Sequence, residues 1–124
     1  MEFFREVHRT GLDIAHLKRL LTIGNLTRLC ASISTITSKH ENEGDMYCIW
    51  GTFNVRREEI KQGVRYALIN CPHALAWTIT LDEARQKVII HCTIDKAEQD
   101  PEFIDSIHAF VADWSNGMTQ ALQE

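Results

Sequence analysis

The stretch Arg56-Arg57-Glu58-Glu59-Ile60-Lys61-Gln62-Gly63-Val64-Arg65-Tyr66-Ala67-Leu68-Ile69-Asn70 decides how the rest of the chain is read. Ile60, Val64, Ala67 and Leu68 recur at spacings of three and four, the pattern of a helix with one face on a core. Pro72 then supplies a stop. Upstream, Met46 to Phe53 reads as a strand, and the polar run Ser38 to Asp45 as a loop. Leu29 to Thr37, small, β-branched and alternating, reads as the partner strand of a hairpin. An earlier helix follows Thr10, with Asp13 three residues on as in a capping box, and stops at Gly24-Asn25. Phe3, Phe4 and Val7 fit either a helical turn or a short strand.

Downstream, Leu75 to Leu81 and Lys87 to Ile94 read as two strands joined by a short turn, hence an antiparallel hairpin. Asp100 is placed to cap a last helix, with Pro101 at its first position and Glu102 and Asp105 in the first turn. Phe103, Ile107, Phe110, Trp114 and Met118 form its apolar stripe, and Gly117 is expected to end or fray it. Two strands followed by a helix thus occur twice. The expectation is a single α+β domain over residues 1–124. It holds an antiparallel sheet of about four strands with helices packed on one face, in the order α-β-β-α-β-β-α.

The totals agree with a globular chain. Of 124 residues, 44% are hydrophobic and 24% charged, outside the disordered range. The start carries Glu2 and Glu6 and lacks a long apolar run, so neither a signal peptide nor a membrane span is expected and the default location is cytoplasmic. The net charge of −4 divides into +2 over residues 1–81 and −6 over residues 82–124. Nucleic-acid binding wants a basic face. The one basic cluster, Arg56, Arg57, Lys61 and Arg65, is diluted by Glu58 and Glu59, so a solvated face is expected there and no nucleic acid.

Cys30, Cys48, Cys71 and Cys92 form no C-x-x-C pair and no zinc spacing, and are expected as buried, reduced thiols. His8, His16, His91 and His108 show no paired metal-ligand spacing on a confident helix, so no metal is expected. Gly-rich phosphate loops and the G-x-S-x-G elbow are absent from the sequence, and no cofactor is expected.

Strand alternation divides the sheet into two faces. Tyr47, Ile49, Phe53, Trp77, Ile79, Leu81, Val88, Ile90, Cys92 and Ile94 make an apolar face to lie beneath the helices. Cys48, Trp50, Thr52, Thr78, Thr80, Ile89, His91 and Thr93 fall on the other, which is hydroxyl-rich and almost uncharged. A face of intermediate polarity with an aromatic anchor suits a macromolecular contact. Trp50 is the anchor expected there, flanked by Thr52, Thr78, Thr80 and His91. The alternative is a small-molecule site or small enzyme with a pocket near Cys71, His73 and His91. A catalytic role for Cys71 is disfavoured, because the end of a helix raises a thiol pKa.

In element order, size and acidic balance the chain resembles the type III secretion chaperone-like superfamily. The resemblance lies in layout from Arg56 to the end, about half the chain: a helix, a hairpin and a long amphipathic last helix, Phe103 to Trp114. No motif carries it, so no functional residue is transferred. It implies a non-catalytic homodimer that binds a segment of another protein. The sequence-based expectation is therefore a cytoplasmic interaction domain without cofactor, with small-molecule binding or catalysis as the alternative.

Overall fold

A computed structural model describes residues 1–95 and 100–123. Its elements are β1 (Glu2–His8), α1 (Ile14–Leu20), α2 (Leu26–Leu29), β2 (Ile33–His40), β3 (Glu43–Cys48), β4 (Gly51–Ile60), β5 (Gly63–Ile69), β6 (Ala76–Asp82), β7 (Lys87–Thr93) and α3 (Pro101–Leu122). Seven antiparallel strands form one sheet in the order β1-β7-β6-β5-β4-β3-β2. Strands β2 to β7 run as a meander of hairpins, and β1 returns to pair with β7. The long α3 and the two short helices cover one face, where the core lies.

This overturns the expected four-strand α-β-β-α-β-β-α layout and its repeated order. The decisive error is at Arg56–Asn70, which is the hairpin of β4 and β5 and not a helix. Within it Val55 and Arg57, then Val64, Tyr66 and Leu68, point inward at every second residue. Ile60 pairs with Gly63 across the two-residue turn Lys61-Gln62. The three-and-four spacing was a coincidence of residues on both sides of that turn. Pairing with β3 on one side and β6 on the other fixes the extended backbone, and tertiary pairing overrides local propensity. At Gly63 a Cβ would stand 2.0 Å from the Ile79 carbonyl oxygen, so only glycine lets β5 and β6 approach there. With Arg56–Asn70 extended, the helix-hairpin-helix order behind the chaperone-like resemblance is not the observed order.

The first half departs in two more ways. Residues 38–45 are not one loop: Ser38–His40 and Glu43–Asp45 are the paired ends of β2 and β3, and only Glu41-Asn42 turns between them. Met46–Phe53 is not one strand: β3 ends at Cys48, Ile49 and Trp50 turn the chain, and Gly51 opens β4 at φ 113°, a left-handed value that suits glycine. That turn shifts the alternation by one. Tyr47 and Ile49, expected inside, are exposed, whereas Cys48 is buried.

Other readings hold. Asp100 caps α3 by accepting from the Glu102 N–H, with Pro101 in the first turn. Ile107, Phe110, Trp114 and Met118 are buried along it. Gly117 does not end α3. It lies against α2, and a Cβ there would fall 1.9 Å from the Leu29 carbonyl oxygen. Cys30, Cys48 and Cys92 are buried free thiols, and Cys71 is half-buried.

Strand register sets up one cross-sheet row that matters below. Arg57, Tyr66, Trp77, Cys92 and Phe3 stand opposite one another on five successive strands, all on the helix-covered face.

Candidate ligand-binding site

Where α3 begins, a cleft of about 220 Å³ opens between Trp50, Phe53, Cys71, Pro72, His73, Leu75 and Phe103. Three segments build it. The β3–β4 turn supplies Trp50, whose indole N–H donates to Ser106 Oγ at 2.8 Å. The β5–β6 connection supplies Cys71, Pro72 and His73, and is held in shape by two left-handed residues, Asn70 (φ 65°) and Ala74 (φ 49°). Ala is uncommon in that region, so the surrounding contacts impose the bend. The first turn of α3 supplies Phe103, on which His73 stacks at 4.2 Å. Leu75, 1% exposed, is the floor. Three larger grooves, near His40 and Arg65, near Lys18 and Glu59, and near Gln62 and Glu83, are lined mainly by polar and charged side chains. By contrast, the cleft by Leu75 has mostly apolar walls.

Aromatic rings continue inward from it. Trp50 meets Phe110 at 4.9 Å between centroids, and Phe110 meets Trp77 at 5.0 Å. Tyr66, Trp77 and Trp114 then form a triangle with centroids 5.3, 5.9 and 6.2 Å apart. Each of those three is fully buried; the indole N–H groups of Trp77 and Trp114 find no hydrogen-bond partner, and the Tyr66 hydroxyl has the Arg57 guanidinium beside it without well-formed hydrogen-bond geometry. Among the described residues, the one other buried side-chain polar atom left so is Asn54 Oδ1. Buried tyrosines and tryptophans ordinarily find a partner, because an unpaired buried donor costs roughly 1–3 kcal/mol.

The interior disfavours charge. Burial pushes the Cys92 thiol, beside Trp77 in the cross-sheet row, up to about 12, and does the same to Cys30. Burial also raises the Tyr66 phenol, against a pull from the nearby Arg57 guanidinium.

Of the residues expected at a contact surface, Trp50 stands apart from the others. Trp50 packs against Phe103 and Phe110 of α3, under the helix layer. Thr52 is exposed on β4, opposite Tyr47. Thr78, Thr80 and His91 do share the open face, with Thr78 opposite His91. Of the alternative pocket, Cys71 and His73 line the cleft and His91 does not: it lies on the open face, stacked on Phe4 at 4.3 Å and 2.9 Å from Glu2 Oε1. The sequence reading missed Phe53, Leu75 and Phe103 as cleft walls and Tyr66 as an interior polar group. The available signal was the apolar Leu75 two residues before Trp77, just ahead of β6.

No protein-family model matches the sequence, and no curated protein is detectably similar to it. Solved structures do match. An uncharacterised protein from Bacillus thuringiensis aligns over 100% of both chains with a TM-score of 0.70 at 16% identity. A START superfamily protein from Mycobacterium smegmatis aligns over 99% of this chain and 96% of its own, with a TM-score of 0.64 at 8% identity. This chain shares their fold. Among the described residues no helix is long and apolar enough to cross a membrane.

Proposed function

We propose that the protein binds an apolar small molecule in the cleft between the sheet and the start of α3. The observation that carries this reading is the cleft by Leu75, walled by Trp50, Phe53 and Phe103 and continuous with buried aromatic rings. Ligand sites are typically concave and mostly apolar with a few polar groups, as here. The fold shared with a START superfamily protein is compatible with small-molecule binding, by analogy. The left-handed bend at Ala74 holds the mouth in shape before any ligand arrives.

The test is titration with N-phenyl-1-naphthylamine, an uncharged fluorophore that brightens out of water. Saturable one-site binding is expected. Phe103→Asp should weaken it at least tenfold, because a carboxylate then stands in the wall. An acidic residue in the first turn of a helix is favourable, so α3 should persist, as circular dichroism would show. Absence of saturable binding in the folded protein, or unchanged affinity in the folded variant, refutes the site.

A further inference from the structure

The sheet ends on two strands, and charge guards only one of them. At β1, Glu2 and Glu6 stand on the open face, and Arg5 shares the helix-covered side with Phe3 and Val7 yet reaches solvent. Charged side chains on an edge, above all one on its inward side, keep a further strand from adding. β2, at the other end, has no such guard. From Ala31 to Ser38 the chain reads Ala-Ser-Ile-Ser-Thr-Ile-Thr-Ser, without charge or proline and with four β-branched residues. Ser34, Thr35, Thr37 and Ser38 are exposed, and Ile36 is half-buried. Among the described residues no strand pairs with the outer side of β2. Its outward N–H and C=O groups therefore form a template for another strand.

We propose that β2 pairs antiparallel with β2 of a second copy of this chain, about a two-fold axis at Ile36, so that two sheets become one. This pairing needs no ligand in the cleft. Thr35 and Thr37 lie on the open face, opposite Tyr47 and Asp45, and Ile36 lies on the helix-covered face, opposite Met46. With Ile36 on the axis, Thr35 of each copy meets Thr37 of the other, and the two half-buried Ile36 side chains meet. Such like-with-like pairs favour a ladder. A slip of one residue sets the faces against each other, and a slip of two parts the isoleucines. At the ends of the pairing, Lys39 of each copy comes level with Ile33 of the other. Next to Ile33 is Ser32, whose hydroxyl donates to the Asp113 carboxylate. Opposite charges therefore approach there, and no like charges stand opposite each other. Register shifts after Ile33 and after Ser38 confine the straight ladder to the residues between. The contact is small, as in weak and transient complexes, and β1 remains guarded, so association stops at the dimer.

Sedimentation equilibrium of the full chain from about 5 to about 500 µM covers the range in which so small a contact forms and dissociates. Dimers that come apart on dilution, and no larger species, are expected. Thr35→Lys with Thr37→Lys sets lysine opposite lysine twice across the axis and should weaken association about tenfold or more. Thr35→Glu with Thr37→Glu should do the same alone. Mixing the two variants sets lysine opposite glutamate and should restore association. Both positions are exposed, so each variant should keep the wild-type circular dichroism. In the wild type, amide hydrogen exchange at residues 34–38 should slow as the concentration rises, while exchange in β1 does not. That measurement decides alone if a variant fails to fold. Monomers throughout, exchange at residues 34–38 that ignores concentration, an unchanged affinity in the lysine variant, or a mixture no tighter than its components overturns the pairing.

Discussion

Arg57 and Trp77 stand in the same cross-sheet row, two strands apart, and are treated in opposite ways. Arg57 is charged and buried, yet four acceptors answer it, two of them carbonyls at the end of α1. A cation there also complements the helix dipole. Trp77 is neutral and buried, and nothing answers its N–H. The first arrangement is complete within the chain and serves to hold α1 on the sheet. The second is incomplete, a buried donor left unpaired at a cost to stability.

That contrast can be broken from either side. Arg57→Ala should have the largest effect, a loss of about 4 kcal/mol in urea unfolding, since the Leu21 and Lys18 carbonyls lose their donor at about 1–3 kcal/mol each. Hydrogen exchange in α1 should rise with it. An unchanged midpoint would mean that α1 is held by its apolar side chains alone. Raising the pH comes next. Cys30 and Cys92 have folded pKa values raised above the ordinary 9.0. Their contribution is intact below pH 9 and is lost as the pH climbs towards the folded values. At pH 10 the loss should be about 1.4 kcal/mol per thiol relative to pH 7. Cys92→Ala should flatten the decline by that amount, whatever its effect at neutral pH. The smallest effect sharpens the comparison most. Tyr66→Phe removes a hydroxyl that lies beside the Arg57 guanidinium without well-formed hydrogen-bond geometry, so stability should change by less than about 1 kcal/mol. A loss of 1 kcal/mol or more would show that the hydroxyl is paired, and Tyr66 would then join Arg57 on the completed side.

The sequence was legible where the two strands are joined by polar residues. Asp82 to Arg85 announced the β6–β7 hairpin, and the inward set Trp77, Ile79, Leu81, Val88, Ile90 and Cys92 came out on the correct face. The cap at Asp100 was equally clear, because Asp-Pro has one good use at that place. The first half was not legible, and for definite reasons. Lys61-Gln62 lacks the residues that mark tight turns, so the β4–β5 hairpin looked continuous and its apolar residues fell into helical step. Ile49-Trp50 is a turn made of two large apolar side chains, which reads as strand interior. One shifted residue then exchanged faces for Tyr47, Cys48, Ile49 and Trp50 together, as any slip of period two must. The candidate site suffered accordingly. Cys71 and His73 were found because they interrupt the chain locally, whereas Tyr66 and Phe103 join the region only through pairing and packing between distant elements.

The pairing of β1 with β7 has a consequence for how the molecule is made. Met1 and Ile94 exchange main-chain hydrogen bonds across a sequence separation of 93 residues. On the ribosome, Phe3 and Val7 must therefore wait, uncovered, until almost the entire meander has emerged. Contacts of such long range form slowly and leave oily surface open to wrong partners meanwhile. The edge laid down first is thus the last to close, and a nascent chain stalled before β7 would be the form most prone to clump.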